Sequence, residues 1–394
     1  VAVSLADLAR PSMRELLVVD VSDPRSLVEP LRRALFEDGP AVLPRPGGAR
    51  LIATAPMEVA DDIALVIETS GTTGAPKRVA LSAEAVLSSA KAALAELGEP
   101  GVWLLLLPAH YIAGVQVIAR ALVSGTTPVV LHPEPFSTVA MASQGEELRN
   151  LAGDSPVYTA MVPAQLQRIL DDAPAMARLD DLMKTFGRIL VGGQAIPQTL
   201  LDRSADAGYR VTRTYGSSET SGGCVWDGRP IGDTTVAEFD GRIAISGPTL
   251  AHSYLEDPER TARSFVERDG TLWYLSDDAG SIDDQGIVSI QGRLDDVIVT
   301  GGVKVALGRI ERLVHGDFHA PDAVVVAAEH DTWGQVPVVV TTKELDITAL
   351  RLGIGGALGP EARPDRVLRV SEIPHLPSGK PDRLALAALV KEKH

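Results

Sequence analysis

The order of apolar runs predicts an α/β fold, with a β-rich part after it and a small α+β domain at the C-terminus. Three observations carry this. Up to about Asp227, apolar runs of strand length alternate with stretches of helical period, the pattern of mostly parallel strands crossed over by helices. After Asp227 the runs shorten and are parted by Asp-Gly and Gly-rich turns, which predicts antiparallel β structure. The last part of the chain is about a hundred residues, the size of a small independent unit.

Residues 16–20, 63–68, 102–107, 128–131, 157–161, 188–191 and 209–214 read as strands, each a short apolar run. Between them, 26–37, 82–97, 114–123, 164–170 and 197–206 read as helices. Pro163 and Pro197 sit where a first helical turn accepts proline, because the missing N–H has no partner there anyway. In the β-rich part, 241–246, 272–274 and 286–290 are the expected strands. The stretch 292–296, rich in Gly, Arg and Asp, is the expected hinge, which divides the chain into domains 1–293 and 294–394. Beyond it, 297–300, 323–328, 336–342 and 366–370 read as strands, and 307–314 and 347–352 as helices.

Composition narrows the function. The 394 residues carry a formal net charge of −15. Nucleic acid and anionic membranes attract basic surfaces, so neither is an expected partner. Any anionic substrate must be held by local cations working against the overall field. The one cysteine, Cys224, allows no intrachain disulfide, in keeping with a reducing, cytoplasmic setting. The start, Val1 to Arg10, lacks a basic stretch followed by an apolar core, so no signal peptide is expected. The longest apolar run, 102–107, is far too short to insert in a membrane. A homo-oligomer is left open.

The segment Thr69-Ser70-Gly71-Thr72-Thr73-Gly74-Ala75-Pro76-Lys77 follows an expected strand. Glycines let a backbone approach an anion closely. Backbone N–H groups and hydroxyls then bind phosphate oxygens, and Lys77 adds a point charge. It is not a Walker loop, since Pro76 precedes the lysine and Arg78 follows it. Its plainer reading is a Ser/Thr/Gly surface turn. Four other stretches stand out: Gly192-Gly193-Gln194, Tyr215-Gly216-Ser217-Ser218-Glu219-Thr220, Asp277-Asp278, and Gly292-Arg293-Leu294-Asp295-Asp296 with Gly301-Gly302 behind it. Near the end comes Pro377-Ser378-Gly379-Lys380-Pro381-Asp382-Arg383. Each has a bland reading: a turn, a helix cap, an acidic surface, a linker, a solvated lysine.

Taken together and in this order, the six stretches resemble the signatures of the adenylate-forming superfamily of acyl-CoA synthetases, adenylation domains and luciferases. The resemblance implies a large N-terminal domain of α/β sandwich subdomains plus a β-rich subdomain, and a mobile C-terminal domain carrying Lys380. It implies that ATP is bound by Thr69, Ser70, Gly71, Thr72, Thr73, Gly74 and Lys77, by Gly193, Gln194, Tyr215, Gly216 and Ser218, and by Asp278 and Arg293 at the ribose. Ser218 replaces the usual Thr and keeps the hydroxyl. Asp277 is a rival to Asp278, because Leu-Ser-Asp stands where relatives have Arg-Thr-Gly. Glu219 is the implied Mg²⁺ ligand, and a hard carboxylate oxygen suits Mg²⁺ shared with phosphates. Lys380, Glu219 and Thr72 are the implied catalytic groups, Asp295 the hinge, and Gly301 and Gly302 a wall of the coenzyme A channel. The implied reaction is activation of a carboxylic acid as acyl-adenylate, then transfer to coenzyme A.

Which acid is a finer question. The stretches Leu107–Gly114 and Arg213–Val225 look most like the short form of the branch that activates o-succinylbenzoate for menaquinone biosynthesis. His110, Tyr111, Gly192 and Ser221 are the candidate acid contacts. A second carboxylate needs a cation or donors, and Arg78, Arg120 and His110 are the candidates. Tyr111 stands where relatives often have His. Other acid–CoA ligases, an adenylation domain loading a carrier protein, and an inactive nucleotide-binding regulator stay open as alternatives.

Overall fold

The computed structural model describes residues 12–47, 58–69, 77–130, 136–294, 296–376 and 380–392. Apolar strand runs dominate the first sheet, in which Met13–Asp20, Ala41–Arg45 and Ile63–Thr69 run parallel. Glu58–Ala60, Lys77–Ser82 and Ser253–Tyr254 extend it antiparallel. In the second sheet Val129–Val130, Val102–Leu105, Val157–Met161, Phe186–Gly192 and Val211–Ser217 are all parallel. Gly222–Trp226 and Arg229–Pro230 close its other edge antiparallel.

Helices Val28–Phe36, Ala83–Leu97 and Ile112–Val123 lie between these sheets. Their Leu31, Val86, Ala90, Val115 and Ile118 share one apolar cluster with Leu65 and Leu81 of one sheet and Trp103 and Leu105 of the other. Helices Thr138–Ala152, Pro163–Asp172, Ala177–Thr185 and Gln198–Asp206 cover the far face of the second sheet, where Met141, Leu148, Leu166 and Leu182 meet Leu104, Ile189 and Val191. A sheet covered on both faces explains why Val157–Met161 is apolar throughout and wholly buried. Each fully buried Leu or Ile contributes about 1.5–3 kcal/mol, so truncating Leu104 to Ala in this layer costs about 2–5 kcal/mol.

The third sheet is antiparallel: Thr235–Phe239, Arg242–Ser246, Thr271–Ile282 and Phe265–Arg268, with Val288–Arg293 also on Thr271–Ile282. The fourth holds Val303–Ala306, Val297–Thr300, Gly334–Thr341 and Val324–His330, with Arg366–Arg369 parallel to Gly334–Thr341. Leu307–Gly316 and Ile347–Leu358 pack on one face of it and Arg383–Glu392 on the other. The two apolar clusters here draw only on residues from Ile298 to Val390.

Several expected boundaries shift. The run expected at 272–274 is one end of the 12-residue strand Thr271–Ile282, so Asp277 and Asp278 lie in a ladder and not in a solvated turn. Pro197 is the N-cap of Gln198–Asp206, one step before the first helical residue, while Pro163 opens its helix as expected. Ala41–Arg45 was hidden by Pro44, which lacks a ladder donor. It pairs with Val19 all the same.

Candidate active site

The parallel strands of the second sheet end together, and at such carboxyl ends an α/β sheet presents its loops to ligands. Close strand approach fixes the residue types there. A Cβ on Gly192 would lie 2.3 Å from Thr214 Oγ1, and one on Gly216 would lie 2.0 Å from the Gly222 carbonyl oxygen. Only glycine fits either place. The ladder between Val211–Ser217 and Gly222–Trp226 shifts register between Tyr215 and Gly216, and such a bulge re-aims the side chains that follow. Next comes the short 3-10 turn Ser218–Thr220, buried throughout, closed by Ser221 in the left-handed region at φ 53°. A non-glycine residue is strained there. The Ser221 hydroxyl donates to the Thr249 carbonyl at 2.8 Å, which holds the turn.

Two tyrosines orient two carboxylates. Tyr215 donates its hydroxyl to Asp278 Oδ2 at 2.8 Å. Burial first, and then the Asp278 charge, push Tyr215 ionisation far above its ordinary value, so it stays a donor. Asp277 instead meets Arg293 Nη2 at 3.4 Å and Arg242 Nη1 at 3.9 Å. Alternation along a strand puts the two aspartates on opposite faces, and Asp278 shares the face of Tyr215. Asp278 is also paired in register with Arg293 on the neighbouring strand. Tyr254, which the sequence reading passed over, donates to Glu219 Oε1 at 2.7 Å. The helix that follows it is capped by Asp257 and opened by Pro258, but that signal marks the helix and not the tyrosine.

Lys380 joins this group from the C-terminal part. It stands on a turn in which Leu376 N–H donates to the Lys380 carbonyl at 2.7 Å and Asp382 N–H to the Pro374 carbonyl at 2.8 Å. Its Cε lies 3.9 Å from where a Cβ on Gly193 would be, and Gly193 has φ +80°. The residue is open to water, but protein walls its ammonium. Desolvation, and after it Arg293, hold the Lys380 ammonium below the ordinary lysine range, with Asp278 and Glu219 pulling the other way. Gly193, Glu219, Asp278, Arg293 and Lys380 thus share one cleft.

Thr69 and Lys77 are cross-strand partners at the mouth of the hairpin whose strands are Ile63–Thr69 and Lys77–Ser82. Ser70, Gly71, Thr72, Thr73 and Gly74, and Asp295, where the hinge was expected, lie outside the described residues. Gly301 and Gly302, at φ 56° and 85°, form the two-residue turn between Val297–Thr300 and Val303–Ala306, where both positions need positive φ. Gly301 packs on the Trp333 ring, and no residue of the cleft comes within 4 Å of either glycine's Cβ position.

His110 and Tyr111, expected as acid contacts, precede the helix Ile112–Val123, their rings 4.1 Å apart. Burial lowers the His110 pKa. Arg78 is committed elsewhere: Nε to Glu68 at 3.1 Å and Nη1 to Glu256 at 2.8 Å, with Glu68 also held by Arg45 at 2.7 Å. That ion-pair network makes Arg78 a poor candidate for a substrate carboxylate. Arg120 is different. It is 4% exposed, its guanidinium lies 5.2 Å over the Trp103 ring, and its Nε has no hydrogen-bond partner. Burial brings its pKa down to about 10. One turn earlier on that helix Gln116 is buried, donates to the Val86 carbonyl at 3.3 Å, and packs on Gly222.

Known proteins resemble this chain along most of its length. The AMP-binding enzyme family matches residues 5–267. A Mycobacterium tuberculosis (strain H37Rv) protein named "Probable 2-succinylbenzoate--CoA ligase" is 36% identical over 393 residues, covering 95% of this chain and 97% of its own. Among solved structures, the o-succinylbenzoate–CoA synthetase of Bacillus subtilis, in complex with its acyl-adenylate intermediate, is 23% identical with a TM-score of 0.70, over 94% of this chain and 78% of that one. An amide bond synthetase from Marinactinospora thermotolerans is 24% identical with a TM-score of 0.72, over 95% and 80%. At such identities the two structures speak for the fold, and it is that of adenylate-forming enzymes, a large N-terminal and a small C-terminal domain. On the family match and the 36% identity along nearly the whole length, the chain belongs to the AMP-binding enzyme family.

Proposed function

We propose that the chain is an ATP-dependent, AMP-forming acid–CoA ligase that converts o-succinylbenzoate to o-succinylbenzoyl-CoA in menaquinone biosynthesis. The observation that carries the chemistry is the meeting of Glu219, Asp278 and Arg293 with Lys380, a residue from the far end of the chain, in one cleft beside Gly193. The acid's identity rests on the named relatives and on Arg120.

A carboxylate is a poor acyl donor because its leaving group would be oxide. In the first half-reaction a carboxylate oxygen attacks the α-phosphorus of ATP. The bond to the β-bridging oxygen breaks, and pyrophosphate leaves with its electron pair. Negative charge gathers on the α-phosphoryl oxygens, so fixed positive charge and positioning are the main catalytic needs. Lys380 supplies the charge at the reacting centre. Asp278, steadied by Tyr215, accepts from the ribose hydroxyls beside Arg293, and Lys77 faces the phosphates. Mg²⁺ neutralises phosphate charge when bound. Glu219 fits it, since one carboxylate oxygen is oriented by Tyr254 and the other has no hydrogen-bond partner among the described residues. In the second half-reaction the coenzyme A thiol loses its proton, its sulfur attacks the adenylate carbonyl, and AMP departs. Lys380 is not needed for that step, and its domain turns away about Asp295, bringing Gly301 and Gly302 to the channel.

Arg120 suits the second carboxylate of an aromatic diacid. A buried cation without a carboxylate partner is costly, and a ligand anion removes that cost. Arg120 lies eight residues into the helix that begins beside Tyr111, about 12 Å along its axis, a depth that suits a long diacid. The test is a pyrophosphate-release screen over aromatic and aliphatic acids with and without coenzyme A. O-succinylbenzoate is expected to turn over best, with thioester formed when coenzyme A is present. Good turnover of another acid beside none of o-succinylbenzoate overturns the assignment.

A further inference from the structure

Glu219 lies between two strands of the second sheet, and Lys77 begins a strand of the first. One short stretch, residues 249–256, ties the two together. On the Glu219 side, the Thr249 carbonyl accepts the Ser221 hydroxyl at 2.8 Å and Ala251 N–H donates to the Glu219 carbonyl at 2.8 Å. Tyr254 donates to Glu219 Oε1 at 2.7 Å. On the other side, His252 N–H donates to the Ala80 carbonyl at 2.9 Å and Leu255 N–H to the Arg78 carbonyl at 2.8 Å. Ser253 and Tyr254 pair in register with Ala80 and Val79, and Glu256 meets Arg78 at 2.8 Å. The stretch therefore holds Glu219 by main chain and side chain while it extends the strand that starts at Lys77.

We propose that Tyr254 is a positioning residue of the ligase, whose hydroxyl locks the Glu219 carboxylate so that its second oxygen faces the metal-bound triphosphate. This rests on the reading of Glu219 as the Mg²⁺ carboxylate. A glutamate side chain has three rotatable bonds, and a carboxylate in an open cleft samples several rotamers. A 2.7 Å bond from a rigid donor removes that freedom before the nucleotide arrives. The donor is rigid: Tyr254 is 4% exposed, packs against the tilted Phe265 ring at 5.9 Å and lies under the Arg260 guanidinium at 5.6 Å. Partners that orient a metal ligand commonly change metal affinity by about 10–100-fold when removed.

The test compares the wild type with Tyr254→Phe and Glu219→Gln in three measurements: calorimetric ATP binding with and without Mg²⁺, the Mg²⁺ concentration giving half-maximal adenylation, and thioester formation from supplied acyl-adenylate. Y254F keeps the ring and its packing. It is expected to raise the half-maximal Mg²⁺ concentration about tenfold and to weaken Mg²⁺-dependent ATP binding in step, with metal-free ATP binding and the thioester step unchanged. Wild-type Mg²⁺ dependence in Y254F, beside a shifted E219Q, overturns the role of Tyr254. Unmoved Mg²⁺ dependence in E219Q removes the metal reading of Glu219 itself, and this proposal with it. Should Y254F not fold, Thr261→Val serves. It removes the hydroxyl that accepts the Tyr254 N–H at 3.0 Å, and so loosens the backbone that carries the Tyr254 ring while its hydroxyl is kept. A shift in the same direction, smaller than the tenfold expected of Y254F, supports the proposal, and no shift refutes it.

Discussion

The carboxylates of the cleft and its lysine are built on opposite terms. Glu219 is 7% exposed and is gripped by Tyr254 through its side chain and by Ala251 through its carbonyl. Asp278 sits in the middle of a 12-residue strand, with Tyr215 on its side chain and Arg293 across the ladder. Lys380 stands on a turn closed by two backbone hydrogen bonds and one isolated bridge between His375 and Pro381. Its own side chain makes no hydrogen bond or ion pair among the described residues and lies along Gly193, which offers no side chain to grip it. Groups that only bind can be fixed from several directions. A group needed for one half-reaction and away for the next must be held lightly, at the low-stability end of the structure.

The largest expected effect tests that contrast directly. Lys380→Ala should lower adenylation by about 10²–10³-fold, the usual consequence of losing one preorganised charge. Thioester formation from supplied acyl-adenylate should stay near the wild-type rate. Pyrophosphate release measures the first and single-turnover thioester formation the second. Equal loss of both would mean that Lys380 is as fixed a part of the site as Glu219, and the contrast would break.

A second effect, smaller, belongs to Arg120. Arg120→Met keeps apolar volume against Trp103 and removes the buried charge. A hydrogen bond to a charged group contributes about 1.5–3 kcal/mol, so kcat/KM for o-succinylbenzoate should fall about 10–100-fold, while a benzoate lacking the second carboxylate should be activated as well as by the wild type. Removing an uncompensated buried cation should leave the melting temperature unchanged or raise it. A fall for both acids, with a lower melting temperature, would assign Arg120 to the core and not to the substrate.

The same contrast explains what the sequence revealed. Strands that are buried on both faces, such as Val157–Met161, are apolar along their whole length and were legible with their true ends. So were Gly192 and Gly216, whose type is forced by close strand approach. The helix Arg383–Glu392 was not foreseen, because it follows directly on the lysine motif and carries only Leu386 and Val390 into the core. Tyr254 was missed for another reason. Its strand is two residues long, and its meaning comes from Glu219, 35 positions away. Spacing cannot announce a contact of that kind. Arg78 erred in the other direction, since nothing in its neighbourhood in sequence reveals Glu256.

The smallest effect is one of pH, and it sharpens the difference in solvation between Lys380 and an ordinary surface lysine. The usual value is 10.5, and desolvation, with Arg293 next, holds the Lys380 ammonium below it. The cation is the form that stabilises the α-phosphoryl charge. Adenylation should therefore be full at pH below the lowered value and decline as pH rises through it. The kcat/KM profile is the one to follow, because it reports groups of the free enzyme, before bound triphosphate draws the proton back. Thioester formation from supplied adenylate should lack this limb and rise with pH, as the coenzyme A thiolate becomes more abundant. Lys380→Arg keeps a cation at every accessible pH, so its adenylation, slower for want of fit, should lose the alkaline decline. A decline kept at the same pH in the arginine variant would place it on another group, and the lysine would then be no more desolvated than its open turn requires.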